Sequence, residues 1–218
     1  MVIDKIIPTM DKIPNFIVFE GGDGSGTSTQ ISLLNKSLKS LNTIPFILTS
    51  EPTDSETGKR IRSALKKEIP VRPEELAELF AKDREQHLFG VNGILSQIND
   101  GKLVICDRYV LSSLVYQGIE CGDELPQRLN SGFPAPEILL FFDLEPKIAL
   151  ERLKLRNSCE IYDSLEFQGK VRAKYKSLLH KYTDVGTLVV TIDASKSEEE
   201  IAGEVWEIIT KMPIFNIL

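Results

Sequence analysis

Cysteine is scarce: Cys106, Cys121 and Cys159 are the only three. An odd count in no metal-type spacing argues against a disulfide framework or a zinc site, and for a reducing compartment in which the thiols are packed as small apolar groups. Long hydrophobic runs are missing too. No stretch approaches about 18 unbroken apolar residues, and the opening MVIDKIIPTMDKIPN is broken by charges and prolines, so neither a membrane span nor a signal peptide is expected. There is no internal repeat, low-complexity tract or linker, which leaves one unit over residues 1–218 with residues 1–14 as an extension. Basic charge is not in excess: 26 Lys and Arg against 32 Asp and Glu give a net charge of −6. A long nucleic-acid groove needs clustered cations to displace counterions, so that partner is excluded, as is a membrane, while a small basic pocket is still allowed. What remains, 42% hydrophobic and 27% charged, is the composition of a soluble globular protein, expected in the cytoplasm.

Short apolar runs alternate with segments of helical period. FIVFE (16–20), PFILT (45–49), KLVIC (102–106), EILLFFD (137–143) and TLVVTID (187–193) predict five buried strands. Ile31, Leu34, Leu38 and Leu41 recur at helical spacing, as do Leu88, Val91, Leu95 and Ile98. This βαβα order predicts an α/β fold, a five-stranded parallel sheet flanked by helices in three layers. Two polar stretches, 49–62 and 152–167, read either as surface loops or as ligand segments; the first follows strand two directly, where open sheets place ligands.

EGGDGSGTSTQ (20–30) sits at the corner between the first strand and the first helix. Glycines there let backbone N–H groups turn inward, and the following helix adds its positive end, so Gly21, Gly22, Gly24, Ser25, Gly26, Thr27, Ser28 and Thr29 form a candidate phosphate cradle. The pattern GxxxxGK[ST] is met at Gly21, Gly26 and Ser28, but Thr27 stands in the place of the lysine that reaches the β- and γ-phosphates. The same stretch also reads as a tight turn capped by Thr27 or Ser28. In CDRY (106–109), Asp107 leaves the end of a strand facing Ser28, where a carboxylate and a hydroxyl would hold Mg²⁺ largely through water. Arg108 beside it offers a planar fork to phosphate. Phe80, Asp83, Arg84 and His87 share one helical stripe suited to a planar base, or form an ordinary solvated face with a core phenylalanine. Tyr116 and Gln117 in SSLVYQG, and the basic Arg152, Lys154 and Arg156, complete the candidates.

Taken together, FxxFEGxDGSGxSTQ, EPTDSETGKRIR, LFAxDRxxH, DRYxxSSLxYQG and PxxxLFFDLxPxxALERLxxR resemble the thymidylate kinase family over roughly residues 15–175. The resemblance implies a P-loop NTPase fold with a lid at about 152–167, and Mg²⁺-dependent transfer of the γ-phosphoryl of ATP to thymidylate (dTMP) in a homodimer. It implies that Asp23, Glu51, Phe80, Arg84, Arg108, Tyr116 and Gln117 bind thymidylate: Asp23 at the sugar 3′-hydroxyl, Phe80 stacked on the base, Arg84 on its carbonyl, Arg108 on the phosphate, Tyr116 against the 2′ position and Gln117 facing the base. Ser28 and Asp107 would serve Mg²⁺, and Arg108, Asp107 and the lid residue Arg156 would be catalytic. Thr27 and Ser50 depart from the family pattern, each replacing a cation near the phosphates. Lys59, Arg60 and Arg62 are candidates to substitute. The alternatives are a catalytically weak nucleotide sensor of the same fold, or a kinase of another nucleoside monophosphate or nucleoside.

Overall fold

The computed structural model describes residues 12–155 and 164–216. Strands β1 (Ile13–Gly21), β2 (Phe46–Ser50), β3 (Leu103–Asp107), β4 (Pro136–Asp143) and β5 (Leu188–Asp193) form one sheet, parallel throughout, in the order β2-β3-β1-β4-β5. The three-layer α/β arrangement expected from the alternating pattern is therefore present. Alternation along β1 feeds both layers: Ile17 and Phe19 join one apolar cluster, Phe16 and Val18 the other. None of these four side chains is more than 1% exposed, and each such burial is worth about 1.5–3 kcal/mol.

The first layer holds α1 (Thr27–Leu41) and α9 (Glu198–Ile209), which pack on each other; Gln30 Nε2 donates to Glu198 O at 3.0 Å. Trp206 on α9 meets Phe215 edge-on, ring centroids 6.3 Å apart. The second layer holds α3 (Pro73–Phe89), α4 (Ile94–Asn99), α5 (Val110–Glu120) and α8 (Leu165–Asp184). Helices α2 (Glu56–Leu65), α6 (Glu124–Asn130) and α7 (Pro146–Leu155) lie in the connections. Among the described residues no helix is long and apolar enough to cross a membrane.

Three sequence expectations change. The five strands are not all buried: β2 has no buried residue and β5 only Ile192, because both lie at the sheet edges. β1 begins at Ile13 instead of residue 16: Asn15 takes φ 57, its N–H bonds Glu137 Oε2 at 2.6 Å, and the pairing with β4 shifts there. Leu88, Val91, Leu95 and Ile98 do not share one helix face. α3 ends at Phe89: Gly90 leaves the helix with extended backbone, in a turn where a Cβ would strike the Gln86 carbonyl oxygen, and Asn92 at φ 60 turns the chain into α4. Leu88 is fully buried, whereas Val91 on the intervening turn is 97% exposed. Cys106 is buried in the core and Cys121 half-buried, both free; Cys159 lies outside the described residues.

Candidate active site

The parallel strands bring their carboxyl ends to one edge, and the glycine loop leaves the middle strand there. Gly24 (φ 80) and Gly26 (φ 92) adopt left-handed backbone, which favours glycine. A Cβ at Gly24 would come within 2.7 Å of the Ala149 carbonyl oxygen, so the loop runs in backbone contact with α7. Gly26 precedes α1 and supplies no side-chain cap, so the helix presents its first N–H groups and its positive end to the loop. Thr27 opens α1 and is 8% exposed; its short side chain brings no positive charge. Ser28 is exposed, and its Oγ donates to Asp107 Oδ2 at 2.7 Å. Asp107 Oδ1, like Ser25 Oγ, is buried with no partner among the described residues.

Beyond the loop lie two cavities. The one flanked by Gly24, Ser25, Gly26, Thr29, Arg152 and Lys196 has a volume of about 270 Å³. Arg152 reaches over the loop, with Nη2 donating to Ala194 O at 3.0 Å and Nη1 3.5 Å from Gly24 O. The stretch 152–167 is the end of α7 and the start of α8 where it is described. Arg156 lies outside the described residues.

The second cavity, about 290 Å³, is lined by Asp23, Glu51, Phe80, Arg84, Arg108, Tyr116 and Gln117, together with Arg62, Ser112 and Ser113. Seven residues spread from 23 to 117 thus meet in one place. Arg84 (1% exposed) pairs with Glu51 at 2.7 Å and donates from Nε to Glu51 Oε2 at 2.8 Å. Nη2 donates to Tyr109 O and Ser113 Oγ, and Nη1 to Asn130 Oδ1. Of the two Nη1 hydrogens, one has no acceptor among the described residues and is available to a ligand carbonyl. His87 Nδ1 lies 3.0 Å from Glu51 Oε1 and Nε2 2.6 Å from the Thr49 hydroxyl, so both ring nitrogens have partners. Asp83 (1% exposed) turns away from the cavity: it accepts from Thr53 N (2.7 Å), Thr53 Oγ1 (2.6 Å) and Ser55 Oγ (2.6 Å). Within the Phe80-Asp83-Arg84-His87 stripe, therefore, Phe80 and Arg84 line the cavity, and Asp83 and His87 hold what surrounds it.

Arg108 stands at φ 68 directly after β3. Its Nη2 pairs with Asp23 Oδ1 at 2.7 Å, and its guanidinium carbon lies 5.3 Å from the Tyr116 ring centroid. Tyr116 OH and Gln168 Nε2 both donate to Asp23 Oδ2, at 3.0 and 3.1 Å. Of the three candidate substitutes for the missing cations, Lys59 and Arg60 are occupied on the surface by Glu56 and Glu75. Arg62 alone of these lines the cavity, tethered to Pro52 O at 2.8 Å and Asp54 at 2.9 Å. Ser50 is exposed at the end of β2.

In the sequence Glu20 is simply the last residue of the apolar run FIVFE. It is fully buried, and its Oε1 accepts the N–H groups of Tyr109 (2.9 Å) and Ser112 (3.2 Å), capping α5 from outside the helix. Oε2 accepts from Ser112 Oγ at 2.6 Å and Tyr175 OH at 3.0 Å. Burial pushes its carboxyl up to about 7, although the Ser112 hydroxyl, the Arg108 charge, the Tyr109 N–H and the Tyr175 hydroxyl pull it down. A carboxylate in an otherwise apolar strand, directly before the glycine loop, was the available signal.

A glycine loop feeding an uncapped helix, a strand-end aspartate against the helix's second residue, and an arginine-lined cavity alongside define a P-loop phosphotransferase. The family comparison is narrower. The family model described as thymidylate kinase matches residues 19–205, and the chain belongs to that family. A thymidylate kinase of Leptospira interrogans serogroup Icterohaemorrhagiae serovar copenhageni is 40% identical over 205 residues, covering 91% of this chain and 95% of the relative. One from Leptospira borgpetersenii is 38% identical over 202 residues (89% and 93% covered), and one from Caldicellulosiruptor saccharolyticus 36% over 203 residues (89% and 95% covered).

Proposed function

We propose that the protein transfers the γ-phosphoryl group of ATP to thymidylate, giving dTDP and ADP. The observation that carries this is the convergence of Asp23, Glu51, Phe80, Arg84, Arg108, Tyr116 and Gln117 on one cavity beside the phosphate loop. In this reading Phe80 stacks on thymine, the free Nη1 hydrogen of Arg84 meets its carbonyl, and Gln117 faces the base. Asp23 meets the 3′-hydroxyl, Tyr116 crowds the 2′ position, and Arg108 grips the acceptor phosphate, with Arg62 the second cation within reach. The loop from Gly21 to Thr29 cradles the phosphates of ATP. An acceptor-phosphate oxygen attacks the γ-phosphorus, the bond from that phosphorus to the β,γ-bridging oxygen breaks, and ADP leaves with the electron pair. The protein's share is mainly alignment and charge stabilisation. Arg108 and, from the segment outside the described residues, Arg156 supply the charge.

The residues present fit Mg²⁺. Asp107 offers a buried oxygen with no partner beside the Ser28 hydroxyl, both hard donors. Among the described residues no cluster of three or more His, Cys, Asp or Glu forms a closed cage, in keeping with an ion held mostly by water and phosphate. When bound, the ion neutralises charge on the donor phosphates. A homodimer in the cytoplasm completes the reading; light scattering of the purified chain tests the dimer.

ADP release measured with ATP and thymidylate tests the activity. Turnover at background with millimolar substrates would overturn it. Equal rates with the other deoxynucleoside monophosphates, or with thymidine, would move the acceptor assignment.

A further inference from the structure

We propose that Glu20 is a positioning residue that aims Arg108 at the acceptor phosphate by fixing which way the Ser112 and Tyr175 hydroxyl hydrogens point. Glu20 Oε2, Ser112 Oγ and Tyr175 OH form a closed triangle with edges of 2.6, 2.8 and 3.0 Å. Arg108 Nη1 lies outside it, 3.3 Å from Ser112 Oγ and 3.5 Å from Tyr175 OH. A guanidinium only donates, so it rests there only while both hydroxyl oxygens turn lone pairs toward it.

Counting hydrogens shows why a carboxyl is needed. An ionised carboxylate brings none, so the two hydroxyl hydrogens are both taken up inside the triangle. A protonated carboxyl brings one, and three hydrogens fill three edges. In either form nothing but lone pairs faces Arg108. An amide behaves otherwise. Its carbonyl must take the Oε1 place, where two backbone N–H groups donate, so its NH₂ takes the Oε2 place and adds two hydrogens. Four hydrogens cannot be placed on three edges. One hydrogen is turned out of the triangle; with both amide hydrogens donated to the two hydroxyls it is a hydroxyl hydrogen, and on the side of Arg108 Nη1 it displaces the guanidinium, which is left with its other anchor, Asp23. The capping of α5 survives the change, because the amide carbonyl still accepts both N–H groups. Glu20→Gln therefore separates the aiming of Arg108 from the support of the helix.

The inference rests on the reading that Arg108 holds the acceptor phosphate. Calorimetric binding of thymidylate and of thymidine, without ATP, to the wild type and to Glu20→Gln tests both and tells them apart. The wild type is expected to prefer thymidylate, and Glu20→Gln to lose about tenfold or more of its affinity for thymidylate, the range carried by a charge-assisted hydrogen bond. Thymidine, which has no phosphate, is expected to bind both within about twofold. A wild type without preference for thymidylate sinks the acceptor-site reading. A wild type with that preference, and a variant that keeps it or loses both ligands equally, sinks the role of Glu20. Ser112→Ala, which removes the nearer hydroxyl, is the second variant should Glu20→Gln not fold. It is expected to lose thymidylate selectively, and unchanged selectivity there overturns the proposal as well.

Discussion

Thr27 opens α1 at the position where the phosphate-loop pattern has lysine, and it brings no ammonium. Losing one preorganised donor at a developing charge costs about 3–4 kcal/mol, roughly 10²- to 10³-fold in rate, unless another group supplies it. In the proposed reading Arg108 and Arg156 supply that charge, so Thr27→Lys is expected to raise turnover by less than about tenfold. A gain of about a hundredfold in the ADP-release assay would show that the loop has no substitute. Glu20 offers a second measurement at the same scale. Its carboxyl titrates at about 7 in the fold against an ordinary 4.5, so the folded protein keeps a proton that the unfolded chain gives up. Its contribution to stability is full below about pH 4.5 and is lost as pH rises through 7, by about 3 kcal/mol. Urea unfolding at pH 5 and pH 8 should show that fall in the wild type and a flatter profile in Glu20→Gln; parallel profiles would remove the assignment. Glu20 was hard to see in the sequence because its partners lie 89, 92 and 155 positions away, and no spacing rule spans that range.

Among the elements, the strands were legible because each is a short apolar run ending at a turn residue or a charge; burial on both faces explains β1, β3 and β4, whereas the edge strands β2 and β5 keep the apolar run while staying partly exposed. The joint between α3 and α4 was not. Leu88, Val91, Leu95 and Ile98 keep the helical period across it, and Gly90 and Asn92 break the backbone without disturbing that pattern. That the seven residues from Asp23 to Gln117 would gather in one cavity was legible residue by residue through the motifs, but the division of labour on α3 was not: Asp83 faces the segment that leads into α2. Ser55, one of its donors, also caps α2 through Gly58 N at 3.0 Å. Asp83→Ala strips three donors of one buried acceptor and should cost about 3 kcal/mol, read as a lower urea midpoint. It should also raise KM for thymidylate more than KM for ATP, since the freed segment carries Glu51. Equal effects on both substrates would show that the pinning has no bearing on the acceptor side.

For the molecule as a whole, charge runs opposite to function. The chain carries −6, yet the cavity beside the loop sets Arg62, Arg84 and Arg108 against Asp23 and Glu51, a local excess of one positive charge before Glu20 is counted. Composition excluded a long basic groove and left room for such a pocket, but only the fold could show where the arginines gather. The packing of α9 against α1 has a practical consequence. Trp206 is the only tryptophan in the chain, and its helix is tied through Glu198 to Gln30, both of which wall the cavity beside the glycine loop. The acceptor cavity has no indole among its lining residues. The enzyme thus comes with a single built-in fluorophore on the helix that walls the loop-side cavity, and a change in its native emission on adding ATP would give a label-free test of the proposal that ATP binds there.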